Sequence, residues 1–472
     1  MRLHVSRPTS FYKHELKLIS KVLLWMLTGT ILLYILSFYG CTSNNQQEPN
    51  IPVSENTNTA DEYHKPIRKV FQDLKYGLFI HWGPVSVIGK EISWSRRSAL
   101  RQKIPGLADT VGEVPTEIYD SLYTQFNPTN FDAEAIARAA KSYGMKYIVF
   151  TAKHCDGFCN FNTKYTNYKI TSPNSPYRKD IVRQLADACQ KYQLRFGLYY
   201  SLCDWYNPDY RTSTHSQYII YYQNQIRELL TNYGNIDILW FDDLGGTVQD
   251  WDSYTLRSIM TQLQPNLIVN ERWGHGPGNL AGDFISKEDG FISTNFDNST
   301  MWEGCFKLAS DGWSWIPNAS VKSTTDCIKL LTHHVACNGN VLLGVGPRPD
   351  GTIEERQVQR LQEIGYWVKN NAKAIYGTRG GPYMPSKFVY STYKDNKVYL
   401  MIHNFDGRET IDINNIQANI VSSKLLNGTP ISVTKAWWGG LAIHVPEKLQ
   451  DYAVTIVELT LDRKASEVPL IP

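Results

Sequence analysis

A short apolar run that ends on a carboxylate constrains the fold of this chain more than any other feature. Residues 235–241 read N-I-D-I-L-W-F, and Asp242, Asp243 and a glycine pair follow. Such a run is typical of a parallel strand buried on both faces. An acid where a strand meets its loop lies where an α/β barrel presents its reactive groups. Asp242 is therefore the leading catalytic candidate, although an isolated aspartate here could equally cap a helix or open a turn.

Strand and helix patterns alternate over about 300 residues, which predicts a parallel α/β architecture. Predicted strands cover 75–83, 146–152, 194–201, 235–241, 266–270 and 340–344, and predicted helices cover 132–143, 180–192, 216–232, 254–263, 323–336 and 353–370. Polar residues fall at or just past the ends of five different strands, namely His81, His154, Tyr200, Asp242 and Arg272. This placement favours a (β/α)8-like barrel over an open sheet, and we assign it to residues 63–376.

From residue 377 to 465 the pattern changes to short alternating runs separated by turn formers such as Asn427-Gly428. This pattern predicts an antiparallel β-sandwich. The loop at Trp437-Trp438 could bind carbohydrate, but we expect its indole rings to pack against the barrel.

The N-terminus resembles an export signal. Residues 1–41 combine a basic start with an apolar run that ends at Gly40-Cys41, as in a lipoprotein signal whose cysteine carries the lipid. A polar tether, residues 42–62, follows. The alternative is an uncleaved anchor, because the apolar run nearly spans a bilayer of about 30 Å. Both interpretations predict an exported protein, periplasmic or at the cell surface and anchored in the membrane only through this segment.

Composition excludes several classes of function. The net charge of +3 is too small to indicate a nucleic-acid partner. The glycines after residue 343 are interrupted by Pro347 and Pro349, which argues against a nucleotide-binding loop. The seven cysteines beyond Cys41 are irregularly spaced, so we expect buried free thiols rather than a zinc site.

Seven motifs resemble the α-L-fucosidases of glycoside hydrolase family 29, in the order that the family has. They are G-L-F-I-H-W-G (77–83), T-A-K-H-C-D-G-F (151–158), F-G-L-Y-Y-S (196–201), L-W-F-D (239–242), N-E-R-W-G (270–274), M-W-E (301–303) and G-N-V-L-L-G-V-G-P-R-P-D-G (339–351). The resemblance implies a barrel with a β-sandwich, no metal or cofactor, and a retaining reaction on fucosylated glycans. Retention needs two carboxyl groups, one to attack the sugar and one to protonate the leaving oxygen.

Positions carried over from the family imply roles for individual residues. Asp242 falls on the nucleophile, and His81 and His154 fall on histidines that bind sugar hydroxyls. The remaining residues expected at the substrate are Trp82, Glu91, Trp94, Cys155, Tyr200, Trp240, Arg272 and Trp315. Whether the subunits form a homo-oligomer is left open.

The acid/base has two candidates. Glu288 lies in a segment that resembles the family's G-D-Y-x-T-P-E, with Lys287 in place of the proline. Glu303 lies in Met301-Trp302-Glu303, which resembles another family segment. We prefer Glu288 and keep Glu303 as the alternative. Cys155 stands where the family often has a second histidine, so a related sugar, such as a galactoside, stays open as a substrate. A non-catalytic glycan-binding lipoprotein is the alternative from another class.

Overall fold

The computed structural model describes residues 65–97, 112–274, 282–290 and 301–472, all within one compact unit, Ala60–Pro472. The predicted signal segment, the tether and Cys41 lie outside the described residues. None of the helices in the described ranges is both long and apolar enough to cross a membrane.

Eight parallel strands form the main sheet. In chain order they are β1 (Tyr76–Ile80), β2 (Tyr147–Lys153), β3 (Arg195–Ser201), β4 (Ile238–Asp242), β5 (Ile268–Val269), β6 (Ile285–Lys287), β7 (Trp302–Lys307) and β8 (Asn340–Val345). Their order across the sheet is β5-β4-β3-β2-β1-β8-β7-β6, so chain neighbours are sheet neighbours and β8 lies beside β1. This arrangement confirms the predicted barrel architecture.

The ring closes between β5 and β6 through a short and irregular contact. A single parallel bridge joins Asn270 to Phe284. Beside it, the amide of Asp283 donates to the carbonyl of Val269 at 2.6 Å, and a carboxylate oxygen of Asp283 accepts the Val269 amide at 3.0 Å. A side chain therefore substitutes for one ladder acceptor. In the described residues between β5 and β7, no helix occurs.

Helices cover the outside of the barrel and close its lower end. They are α1 (Lys65–Leu74), α2 (Thr116–Ser121), α3 (Ala133–Ser142), α4 (Ile181–Tyr192), α5 (His215–Asn232), α6 (Ser253–Leu263), α7 (Thr324–Ala336) and α8 (Glu355–Ile375). Asp132 caps α3, because its carboxylate accepts the Ala135 amide at 2.9 Å. Phe71 of α1 packs on the rings of Tyr147 and Phe284 and plugs the barrel where its strands begin.

Alternation along the strands sorts side chains into an interior core and an outer layer. The interior core takes residues from seven strands: Phe79, Tyr147, Val149, Tyr199, Ile238, Trp240, Ile268, Cys305 and Leu342. Their chain neighbours, such as Ile80, Tyr200 and Phe241, belong to the outer layer against the helices. The seven described cysteines are buried free thiols, as expected.

The last part of the chain forms two antiparallel sheets. The strands are β9 (Arg379–Gly380), β10 (Val389–Lys394), β11 (Lys397–Ile402), β12 (Thr410–Ile413), β13 (Ile420–Leu425), β14 (Ser432–Lys435), β15 (Leu441–His444) and β16 (Thr455–Leu461). A five-stranded sheet has the order β13-β16-β11-β10-β9, and a three-stranded sheet has the order β12-β15-β14. The sandwich prediction is confirmed. The expectation that Trp437 and Trp438 pack against the barrel is wrong, because their exposures are 98% and 43%.

A fully buried ion pair in the outer layer gives a stability prediction. Lys153 Nζ lies 3.2 Å from Asp204 Oδ2, and both side chains are almost completely buried. Removing Asp204 would leave the buried Lys153 without a counter-ion, so we expect Asp204→Ala to lower the free energy of unfolding by about 3–5 kcal/mol. The exposed pair Arg183–Asp187 is the control. Asp187→Ala should change the free energy of unfolding by no more than about 0.5 kcal/mol. Equal losses in urea titrations would contradict this prediction.

Candidate active site

Asp242 ends β4 with its side chain at the upper mouth of the barrel. Its Oδ2 accepts a hydrogen bond from the Tyr199 hydroxyl at 2.7 Å, and its Oδ1 accepts one from Arg272 Nη1 at 3.0 Å. Burial, and then the nearby charge of Asp242, raise the pKa of Tyr199 well above its ordinary range, so the phenol remains a donor. Two donors thus hold the carboxylate, and 20% of its side chain is exposed at the mouth.

Arg272 joins Asp242 to a second carboxylate. The same Nη1 that binds Asp242 also makes a short contact with Glu288 Oε1. The distance between the two carboxylate oxygens therefore cannot exceed the sum of their distances to this shared nitrogen. Burial disfavours the charged guanidinium, but Asp242 and Glu288 outweigh it and raise the pKa of Arg272. The guanidinium also lies over the indole of Trp240, 5.2 Å from the ring centroid.

Aromatic rings and two histidines line the barrel next to this carboxylate pair. His81 lies edge-on to Tyr199 at 5.2 Å and close to Trp313 at 4.9 Å between ring centroids. His154 stacks on Tyr199 at 5.2 Å with an angle of 11° between the planes. Rings at this spacing form a wall with apolar faces and polar edges, which suits a sugar ring.

Both histidines are neutral. Burial, and to a lesser extent the facing His154, hold the pKa of His81 well below its ordinary range. Burial lowers the pKa of His154 to about 3, with a smaller contribution from Lys153. The buried Nδ1 of His81 has no hydrogen-bond partner among the described residues. Neutral imidazoles offer one donor and one acceptor each, which is what sugar hydroxyls require.

Glu303 lies deeper in the barrel than Glu288. Its Oε2 accepts a short hydrogen bond from the Tyr147 hydroxyl, and its Oε1 accepts the Trp240 indole N–H at 3.2 Å. Its exposure is 1%, whereas 48% of the Glu288 side chain is exposed. Glu303 therefore contacts the indole that supports Arg272, and Glu288 alone of the two candidates reaches the mouth.

The burial of Glu303 gives a pH prediction. Burial raises its pKa from 4.5 to about 7, and the bonds from Tyr147 and Trp240 only partly offset this effect. The folded protein therefore holds this proton more tightly than the unfolded chain, so stability falls as pH rises from about 4.5 to about 7 and is level above. We expect the stability of the native protein relative to Glu303→Gln to fall by about 3 kcal/mol across this window. Urea titrations at several pH values measure this difference in unfolding free energy between the two proteins. A difference that does not change with pH would contradict the prediction.

Two residues predicted at the substrate point the other way. Tyr200 pairs with Phe241 on the outer face of the sheet, and its hydroxyl donates to Gln225 of α5 at 2.6 Å. Tyr199, one residue earlier, takes the interior position because adjacent strand residues point to opposite faces. Trp82 comes directly after His81 in the chain and likewise points to the outer layer. There it packs on Phe126 and Phe131. Both expectations for substrate contact are therefore wrong.

Cys155 and Trp315 make other contacts in the structure. Cys155 is 1% exposed and its Sγ contacts the Ser201 hydroxyl at 3.1 Å, so it offers no surface to a sugar. The indole N–H of Trp315 donates to Glu354 at 3.3 Å. Trp313, two residues earlier, is the indole that packs on His81.

Glu91 and Trp94 have supporting positions. The carboxylate of Glu91 accepts the amides of Trp313 at 2.9 Å and Ser314 at 3.2 Å, so it holds the loop that carries the Trp313 indole. Trp94 lies edge-on to Trp205 at 5.6 Å.

The assembled group can act on a neutral polar ligand. It supplies an acid held by Arg272 and Tyr199, a second exposed acid, and neutral ring donors and acceptors beside aromatic faces. In the described part of the chain, no three His, Cys, Asp or Glu side chains cluster as metal ligands. Two carboxyl groups beside an aromatic surface that suits a sugar ring are the groups that glycosidic bond cleavage requires.

Comparisons with known proteins agree with this chemistry. A family model described as alpha-L-fucosidase matches residues 41–373. Human plasma alpha-L-fucosidase is 28% identical over 401 residues, which cover 80% of this chain and 85% of the human protein. Alpha-L-fucosidase isoenzyme 1 from Paenibacillus thiaminolyticus is 32% identical with a TM-score of 0.76, covering 85% of this chain and 100% of that structure. A family 29 alpha-L-fucosidase from Bacteroides thetaiotaomicron, trapped as a covalent intermediate with 2-fluoro-fucosyl fluoride, is 25% identical with a TM-score of 0.74, covering 90% and 99%.

Proposed function

Because the chain belongs to the α-L-fucosidase family of glycoside hydrolases, we propose that it removes terminal α-L-fucose from glycans with retention of configuration. The observation that carries this proposal is the single nitrogen of Arg272 that contacts both Asp242 and Glu288. Retaining enzymes need their two carboxyl groups about 5–5.5 Å apart, and two oxygens that both contact one nitrogen lie close enough to stay within that limit.

In the first step, Asp242 is the nucleophile. Its carboxylate attacks the anomeric carbon and forms a covalent β-fucosyl ester, while the bond to the leaving oxygen breaks and Glu288 gives that oxygen its proton. The hydrogen bonds from Tyr199 and Arg272 support an ionised, aligned carboxylate before attack. Glu288 acts in this step in its protonated form.

In the second step, Glu288 reverses its role. The carboxylate accepts a proton from water, the water oxygen attacks the anomeric carbon from the opposite face, and the ester bond to Asp242 breaks. Two inversions give net retention, and L-fucose leaves without any cofactor. The exposure of Glu288 supports this role, because the acid/base must meet both the leaving group and water.

Hydrolysis of aryl glycosides tests the proposal against its alternatives. We expect the purified protein to cleave an aryl α-L-fucoside and to leave aryl α-L-galactosides and aryl α-D-galactosides largely intact. Cys155 is the residue that leaves galactosides open as substrates. Its thiol is buried and does not lie at the pocket surface. Turnover of a galactoside alone would replace fucose as the substrate. Sugar binding without any turnover would make the protein a glycan-binding protein.

We also propose that the protein is exported and carries a lipid on Cys41. Support comes from the sequence of residues 1–62 alone. We expect Cys41→Ser to move the protein from the membrane fraction to the soluble fraction and to abolish incorporation of labelled palmitate. Labelling that persists in this variant would contradict the assignment.

A further inference from the structure

Ser93 is a buried residue with a backbone conformation that is rare for serine. Its φ of 56° lies in the left-handed region, and its exposure is 0%. Such a conformation persists only where surrounding contacts hold it, and it concentrates at functional sites. Here the amide of Ser93 donates to the Tyr119 hydroxyl at 2.8 Å, and its Oγ accepts the amide of Asp156 at 2.8 Å.

The same Oγ lies 2.6 Å from Nδ1 of His154. Since His154 is neutral, its ring carries one proton, on either Nδ1 or Nε2. With the proton on Nδ1, the hydroxyl hydrogen of Ser93 would have no acceptor among the described residues. With the proton on Nε2, Ser93 donates to Nδ1, and the one ring hydrogen without a partner among the described residues is the Nε2–H, which is not among the buried unsatisfied atoms. Buried hydroxyl groups rarely remain unpaired, so the second arrangement is favoured.

The other end of this network has a fixed direction. Burial raises the pKa of Asp156 to about 6, so its carboxylate is ionised at neutral pH and can only accept. Tyr119 therefore donates to Asp156, at 2.7 Å, and its oxygen accepts the Ser93 amide. The strained backbone of Ser93 is thus held by contacts that leave its hydroxyl hydrogen directed to His154.

We propose that Ser93 is a positioning residue that fixes His154 as its Nε2–H tautomer and so presents an N–H donor to the bound sugar. Only the identity of the acceptor, a fucose hydroxyl, rests on the proposed function. The ring is held from two sides, by Ser93 at Nδ1 and by Tyr199 against its face. Nε2 has no hydrogen-bond partner within the described part of the chain, so it remains available to a ligand.

The tautomer can be measured directly on ¹⁵N-histidine-labelled protein without substrate. Long-range ¹H–¹⁵N spectra distinguish the two nitrogens, and the signals missing in His154→Asn identify this ring. We expect a protonated Nε2 in the native protein and a shift toward protonated Nδ1 in Ser93→Ala. Ser95→Ala is the matched control, because the Ser95 hydroxyl donates to the Glu91 carbonyl at 2.6 Å and does not touch the histidine. A protonated Nδ1 in the native protein, or no change in Ser93→Ala, would overturn the proposal.

Kinetics separate the hydroxyl from the backbone strain. We expect Ser93→Ala and Ser93→Gly to lose kcat/KM for an aryl α-L-fucoside equally, by about tenfold to a hundredfold, since both lack the donor. Recovery in Ser93→Gly alone would show that strain matters instead and would overturn the proposal. Because the spectra need no substrate, a native protein with the expected tautomer but no fucosidase activity would refute the proposed function and leave the tautomer assignment intact.

A second observation concerns the hairpin turn between β14 and β15. The turn is closed by the Gly439 amide on the Ala436 carbonyl at 3.0 Å and by the Ala436 amide on the Gly440 carbonyl at 2.9 Å. The ring of Trp438 lies so close to Gly440 that no side chain would fit there. The turn therefore holds two adjacent indoles at the surface, and Trp437 is 98% exposed.

Trp438 forms one wall of a cleft of about 190 Å³ on the sandwich. Phe388, Tyr383 and Met384 give this cleft apolar surface, and Asp412, Asn414 and Ser386 add polar groups. The described residues that line the cleft include no lysine or arginine, which disfavours phosphate ligands. Two indoles bury about 150–250 Å² each, well short of the roughly 800 Å² per partner of a stable dimer. Aromatic faces beside hydroxyl-binding groups fit an oligosaccharide better than a second copy.

The geometry points to a glycan-binding site at Trp437 and Trp438, separate from the barrel. The test uses native affinity electrophoresis in a fucosylated mucin, with Asp242→Asn protein and saturating L-fucose to occupy the barrel. We expect retardation that weakens at least about tenfold when both tryptophans become alanine. Tyr366→Ala, at a 73% exposed aromatic on α8, should bind as the parent does. No retardation of the parent, equal retardation of the variants, or a dimer lost only in the tryptophan variant would overturn the site.

Discussion

Asp242→Ala is expected to lower kcat for an aryl α-L-fucoside by about 10⁴-fold or more while the protein stays folded. The carboxylate forms the covalent bond in our mechanism, and removal of a nucleophile costs an enzyme most of its rate. The side chain lies at the mouth, so its loss leaves the barrel core unchanged. Steady-state kinetics with a circular dichroism spectrum of the variant check both statements.

Two controls make the Asp242 result specific. Asp243→Asn should keep activity within about tenfold, because adjacent residues at a strand end point to opposite faces. In Asp242→Gly, azide can fill the space of the lost carboxylate and attack the anomeric carbon directly, which should yield the inverted β-fucosyl azide. Full activity in Asp242→Ala, or loss of activity only in Asp243→Asn, would contradict the assignment.

Glu288→Ala is expected to show the second largest effect. Loss of a general acid typically costs about 10²–10⁴-fold, mainly for substrates whose leaving groups need a proton. We therefore expect a large loss with natural glycans and a smaller one with an activated aryl fucoside. Azide should restore turnover of the activated substrate and give the α-fucosyl azide, because it attacks the covalent intermediate rather than the substrate.

Glu303→Gln provides the comparison for Glu288. Glutamine can accept the Trp240 indole N–H as the carboxylate does, so the variant should keep activity within about tenfold. Azide rescue at Glu303→Ala and none at Glu288→Ala would reverse the two roles.

The strand that ends at Asp242 and most of the alternating elements could be predicted because each follows a local pattern. Apolar runs before polar ends mark β1 to β4, and Asp132 marks the start of α3. Strand β6 could not be predicted in this way, because a three-residue strand is too short for a period to be visible. The closure at Asp283 also depends on a side chain that replaces a backbone acceptor, which no periodicity reports.

Two errors within the site, Tyr200 and Trp82, have the same physical origin. Each lies one residue from the side chain that faces the interior, because strand side chains alternate. Once Asp242 is placed at the mouth, Trp240 must face inward, and the pairing of Tyr199 with Trp240 then selects Tyr199 over Tyr200. That register was not visible in the sequence. Ser93 had no signal either, since its role depends on a left-handed backbone and on His154, 61 residues away.

The most direct test of the account is to trap the sugar on the protein. After incubation with 2-fluoro-fucosyl fluoride, peptide mass spectrometry should find one 2-fluorofucosyl group, on the peptide that contains Asp242, and none in Asp242→Ala. A label on another carboxylate, or no label in a protein that still hydrolyses fucosides, would contradict the claim that Asp242 forms the covalent intermediate.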